Sequence, residues 1–111
     1  MIVSDTLDRL FVALSDPGRR AMVERLCVRP ASVKELAAPV GMRLPSALKH
    51  LRVLEDGGIV VSRKSGRVRT YAIEPKALSA LDLWVNQRRA AVNAAFDALE
   101  AVIADFPEDI E

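Results

Sequence analysis

The chemistry open to this chain lies mainly in its cations. Seven of its sixteen lysines and arginines, Arg43, Lys49, Arg52, Arg63, Lys64, Arg67 and Arg69, fall between positions 43 and 69, where only two acids, Glu55 and Asp56, stand. The remainder holds nine cations against thirteen acids, so the net charge of +1 conceals a basic patch on an acidic body. Such a distribution is the electrostatic footprint of a phosphate-backbone contact. A solvated face is the plain alternative for any charge run.

Other chemistries have little to work with. One histidine, His50, and one cysteine, Cys27, make neither a nucleophile–base constellation nor a metal shell. The five glycines form no phosphate-cradling loop, and the carboxylates are scattered, so paired acid–base catalysis has no candidate. The expectation is a protein without enzymatic activity, cofactor or metal. A single cysteine excludes an internal disulfide and suits a reducing compartment. No apolar run approaches the 18 or so residues of a membrane span, and MIVSDTLDRL lacks a basic start and an apolar signal core, so a cytoplasmic location is expected.

The elements that position the cations can be read from periodicity. In GMRLPSALKHLRVLEDGG, residues 41–58, Ala47, Leu51 and Leu54 fall on one helical face and Arg43, Lys49 and Arg52 on another. Pro45 suits a first turn, and Asp56-Gly57-Gly58 provides a stop. Upstream, Leu7, Leu10, Phe11 and Leu14 mark an amphipathic helix over about 5–14. Asp16 caps a second helix with Pro17 in its first position; Met22, Val23, Leu26 and Cys27 supply its apolar side, which makes Cys27 a small buried hydrophobe, and Arg19, Arg20, Glu24 and Arg25 lie largely on the other. SVKELAA, 32–38, is a short third helix opened by a Ser32–Glu35 capping box. The third and fourth helices, joined by Pro39-Val40-Gly41, make a helix-turn-helix whose second helix is the reader. Such helix pairs also occur in proteins that bind no DNA.

Residues 59–64 and 68–73 then read as a β-hairpin around Ser65-Gly66-Arg67, with Arg63, Lys64, Arg67 and Arg69 on its tip and exposed face. A basic hairpin after a basic reader helix is a winged helix, with the helix in the major groove and the hairpin on flanking phosphates or the minor groove. Arginines that merely keep a sheet edge soluble are the competing reading. Pro75 opens a last helix over about 76–105, with Leu78, Leu81, Val85, Val92, Ala95, Leu99, Val102 and Phe106 on one line, interrupted only by Arg88, and Trp84, Ala91, Phe96 and Ile103 on another. One small domain cannot bury so wide a face, which argues for a dimer packed through this helix and the first. The interface residues expected are Leu7, Leu10, Phe11, Leu78, Leu81, Trp84, Val85, Val92, Phe96, Leu99, Val102 and Ile103, and the tail 107–111 is expected to fray. The fold expected is mainly α: one winged helix-turn-helix domain over 1–111, five helices plus a two-stranded wing.

LFVALSDPGRRAMVERL, SVKELAAPVGMRLPSALKHLRVLEDGGIV and GRVRTYAIEP together resemble the ArsR (ArsR/SmtB-type) family of bacterial winged-helix repressors, over about residues 5–105. The resemblance implies a homodimer on a palindromic operator. It also implies where a metal would sit, and those positions do not suit one: the Cys-x-Cys pair of metal-sensing members is Ser32 and Lys34 here, and Asp82 has no histidine near it in 75–111. The reader helix begins Arg43-Leu44 where the family commonly has Ser-Gln. The groove-facing set expected is Arg43, Leu44, Pro45, Ser46, Lys49, His50 and Arg52, with Arg63, Lys64, Arg67 and Arg69 anchoring the wing. The partners expected are double-stranded DNA, a second copy of the chain and, at most, an unknown small effector near Trp84; a winged-helix dimer serving as a protein-interaction module is the alternative.

Overall fold

The computed structural model describes residues 2–105, with side chains from residue 5 onward. Phe106 and the acidic tail lie outside the described residues. Five helices and three strands follow in the order α1 (Ile2–Leu14), α2 (Pro17–Val28), β1 (Ala31–Ser32), α3 (Val33–Ala37), α4 (Leu44–Asp56), β2 (Val60–Ser65), β3 (Val68–Ile73) and α5 (Pro75–Asp105), with a 3₁₀ turn over Ala38–Val40. Residues up to Ser79 form one compact unit and those from Ala80 another.

The first unit is built on a small apolar centre. Leu10, Met22, Leu36, Leu51, Leu54 and Ile59 are its largest fully buried side chains. Each contributes about 1.5–3 kcal/mol by leaving water. Local signals fix where its helices start and stop. Asp16 caps α2 by accepting from the Arg19 backbone N–H at 3.0 Å, with Pro17 in the first turn. Ser32 and Glu35 form the reciprocal capping box of α3: the Ser32 N–H donates to Glu35 Oε1 at 2.9 Å and the Glu35 N–H donates to Ser32 Oγ at 3.3 Å. At the end of α4 the Gly58 N–H donates to the Glu55 carbonyl at 2.9 Å and the Ile59 N–H to the Leu54 carbonyl at 3.0 Å. That is a Schellman motif, and the left-handed residue it demands is Gly58, at φ +80°.

The sheet differs from expectation. It has three antiparallel strands in the order β1-β3-β2, with β3 central. Ala31 and Ser32 pair with Tyr71 and Thr70, so the wing is stitched to the segment between α2 and α3. The hairpin turn is Gly66-Arg67 alone, since Ser65 pairs with Val68 inside the ladder. Gly66 has φ +62° and Arg67 does not have a positive φ, the pattern of a type II′ turn.

Two burial expectations fail. Cys27 is exposed, not buried. The buried line of α2 is only Met22 and Leu26, and Cys27 lies about a third of a turn beyond it, beside Val28 at 81% exposure. Leu10, expected at a dimer interface, is 2% exposed and belongs to the core of its own unit. Its neighbour Phe11 is 43% exposed and Leu7 is half-buried.

The second unit is the α5 helix from Ala80. Its apolar side chains stay open: Val85, Val92, Phe96, Leu99, Val102 and Ile103 are 40–58% exposed, as is Leu78 at the end of the first unit. Leu81 and Trp84 are half-buried. Arg88, which breaks the apolar line in sequence, places its guanidinium 5.0 Å from the Trp84 ring centre. At that distance it is held by a cation–π contact.

Candidate nucleic-acid interface

The reader helix is amphipathic in the sense that matters for a groove. Ala47, Leu51 and Leu54 are fully buried. At about 100° per residue, Pro45, Lys49 and Arg52 fall in the opposite arc, and all three are exposed. Arg43 holds the N-cap position without a side-chain capping bond, which leaves its guanidinium at the helix's leading end. Ser46 is exposed, as are Leu44 at 40% and Leu48 at 47%. Leu44 and Leu48 stand one turn apart, so the cationic strip is bordered by an apolar one.

His50 departs from the rest of the expected set. It is half-buried and turned toward the start of α2, with Nδ1 3.4 Å from Arg19 Nη1 and 3.9 Å from Asp16 Oδ2. It joins the reader helix to its scaffold instead of standing free on the outer arc. Asp16 is held below the usual carboxylate range, first by the Arg19 backbone N–H, with His50 and the Arg19 guanidinium adding to the effect against partial desolvation.

Sequence reasoning missed what supports this corner. Arg19 and Arg20 read as solvent-side charges of α2, yet both reach back to the end of α1. Arg19 Nε donates to the Ala13 carbonyl at 2.6 Å and its Nη2 to the Val12 carbonyl at 3.0 Å, while Arg20 Nη1 donates to the Leu14 carbonyl at 2.7 Å. Carbonyls at a helix end have no intrahelical partner, and here two side chains supply one. The D-P-x-R-R stretch therefore caps two helices at once, one at each end of the α1–α2 corner.

The wing carries its cations on two faces. Lys64 pairs directly with Arg69 across the ladder and shares the face of Ser62 and Tyr71, whereas Arg63 pairs with Thr70 on the other. Arg67 sits in the turn. All four are exposed. Like charges directly opposed on a strand pair are unfavourable, and Arg69 leans away: its Nη1 donates to Ser62 Oγ at 2.9 Å, two residues nearer the wing's base. Ser62 Oγ in turn donates to Glu55 Oε2 at 2.9 Å on the last turn of α4. Tyr71, buried next to this chain of contacts, has its phenol pushed above the ordinary value by burial first and by the Glu55 charge second, with Arg69 opposing.

Among the described residues no group of three histidine, cysteine or acidic side chains could hold a metal ion. Among them, too, no helix is long and apolar enough to cross a membrane.

A helix-turn-helix presenting a cationic helix, followed by a basic hairpin in a three-stranded sheet, defines a winged-helix DNA-binding domain. The comparisons with known proteins agree. A family model described as "Helix-turn-helix domain" matches residues 14–63. The HTH-type transcriptional regulator Rv2034 of Mycobacterium tuberculosis is 42% identical over 74 residues, covering 67% of this chain and 69% of that protein. The crystal structure of an ArsR family transcriptional regulator superimposes with a TM-score of 0.76 at 43% identity, covering 81% of this chain and 93% of that one. The solution structure of the homodimeric winged helix-turn-helix DNA-binding domain of Mb0332 from Mycobacterium bovis has a TM-score of 0.66 at 26% identity, covering 81% of this chain and 85% of that one. The chain belongs to the ArsR family of winged-helix transcriptional regulators.

Proposed function

We propose that the chain acts as a homodimer that binds a palindromic operator and represses transcription from it, without metal control. In this reading Arg43, Leu44, Pro45, Ser46, Lys49 and Arg52 meet the major groove, and Lys64 and Arg67, with Arg63 on the other face, hold the wing to phosphates. The carrying observation is the outer arc of α4. Lys49 and Arg52 are exposed there, and no described acid makes an ion pair with either. Uncompensated cations on a reader helix are what a polyanion would neutralise.

The second copy is called for by α5. An apolar stripe from Val85 to Ile103, interrupted at Arg88 and 40–58% exposed, is the surface a symmetric partner would cover. Phe11 on α1 offers a smaller apolar site for the same purpose. The related Mb0332 domain is described as homodimeric, which supports the same assembly here.

Selection of bound duplexes from a random pool tests the reading. A two-fold dimer should recover inverted half-sites whose centres lie about 10–10.5 bp apart or a multiple of that. A pool that never enriches would favour the protein-interaction module, and an asymmetric single site would contradict the dimer.

A further inference from the structure

We propose that Arg69 is a positioning residue that braces the wing against the reader helix through Ser62 and Glu55, and that it makes no phosphate contact of its own. The proposal rests on the DNA-binding reading and assigns roles within it. Three geometric facts carry it. Glu55 stands on the last turn of α4, Ser62 is the third residue of β2, and Arg69 is the second of β3, so the contacts cross from helix to strand to strand. Ser62 pairs with Tyr71, which makes Arg69 its diagonal neighbour, within reach of a long side chain. Both links are 2.9 Å.

The chemistry allows one polarity only. A carboxylate accepts, a guanidinium donates, and the single hydroxyl between them must do both. The Ser62 hydroxyl is therefore the linking group although it carries no charge. Losing it disconnects Arg69 and Glu55 together. The bridge also draws the Arg69 cation toward the wing's base and away from Lys64, its directly opposed neighbour, leaving Lys64 and Arg67 as the cations nearest the tip.

The test compares S62A, S62T, R69A and K64A with the wild type, using the duplex recovered by selection and a random-sequence duplex of equal length. If Arg69 braces the wing, S62A and R69A each lose about three- to tenfold in affinity, and the double variant loses no more than either single one. Their salt slopes match the wild type, S62T restores binding, and K64A lowers the slope by about 0.9 per copy. A fall in slope in R69A equal to that in K64A, or an S62A protein that binds as the wild type does, overturns the proposal. Failure of the wild type itself to bind with salt dependence would instead refute the DNA-binding reading. The brace is then read in the free protein by amide hydrogen exchange. Amides around Ser65–Val68 should exchange several-fold faster in S62A and R69A than in the wild type, and unchanged exchange overturns the proposal.

Discussion

Replacing Gly57 with alanine sets two physical effects against each other with opposite signs. Gly57 closes the reader helix with φ −77° and ψ −6°, a conformation open to any residue. On local grounds alone, alanine should stabilise by about 0.5–1 kcal/mol, because it removes glycine's freedom in the unfolded chain. The surroundings say otherwise. An added Cβ would lie 2.8 Å from the Ala13 Cβ, 3.0 Å from the Arg9 carbonyl oxygen and 3.2 Å from the Val53 carbonyl oxygen. Carbon atoms pack best at about 3.5–4.0 Å, and the two nearest neighbours, the Ala13 Cβ and the Arg9 carbonyl, both belong to α1, so α1 and the end of α4 must separate. Overpacking of this kind costs about 1–3 kcal/mol. The net expectation for G57A is destabilisation by about 1–2 kcal/mol, a fall of about 4–16 °C in melting temperature for a unit of this size. Urea titration followed by circular dichroism reads the sign directly. In a double-mutant cycle A13G, which has its own cost as a glycine within α1, should couple favourably with G57A, because it removes the nearest clashing atom, and should show no coupling with G58A, whose penalty is the left-handed backbone with no atom within 4 Å of the added Cβ. A G57A protein as stable as the wild type would refute the close packing of the reader helix on α1.

Three further outcomes follow from the same geometry. Asp16 and Glu35 both titrate below their ordinary values of 3.8 and 4.5, chiefly through backbone N–H donors at helix starts. The unfolded chain therefore binds more protons as pH falls, so their stabilisation is present above about pH 4.5 and is lost below it as each folded-state pKa is passed. D16N, which keeps a capping oxygen but cannot ionise, should flatten the acid side of a urea-midpoint profile; an unchanged profile would count against the Asp16 assignment. K64A should weaken binding to every duplex alike, whereas R43A should cost about 1–3 kcal/mol on the selected site and relax its sequence preference; competition binding with single-base variants would expose a reversal of roles. In the proposed dimer F96E would remove a ring from each copy's share of the interface, so dimer dissociation should rise by about 10²- to 10⁴-fold in sedimentation equilibrium, and an intact F96E dimer would place the interface elsewhere.

What could be read from the chain was mostly local. The Ser32–Glu35 box, the Asp16-Pro17 helix start, the Gly58 stop and the Ala47–Leu51–Leu54 face each depend on residues within one or two turns of each other, and all four appear in the fold. What escaped was non-local. Ala31–Ser32 has no alternation to announce a strand and becomes one only because Tyr71 and Thr70 lie alongside. Arg19 and Arg20 have the charge of surface residues, and nothing in their spacing shows that α1 ends within their reach. Leu10 and Cys27 both sit on plausible helical stripes. Which edge of a stripe is covered depends on the neighbouring helices, and these cover Leu10 and leave Cys27 open. In the candidate interface the cations of α4 were legible from periodicity, while the inward turn of His50 and the bridging of Arg69 depend on partners in other elements.

In the proposed complex the cations of α4 and the wing neutralise DNA phosphates on both sides of a two-fold axis. The most direct test is the affinity of the wild-type protein for its selected duplex as salt is raised. For about six to ten phosphates neutralised per dimer, binding should weaken by about 10³- to 10⁵-fold between about 50 and 200 mM salt, with a linear dependence of log affinity on log salt. An affinity that stays flat across that range would contradict it.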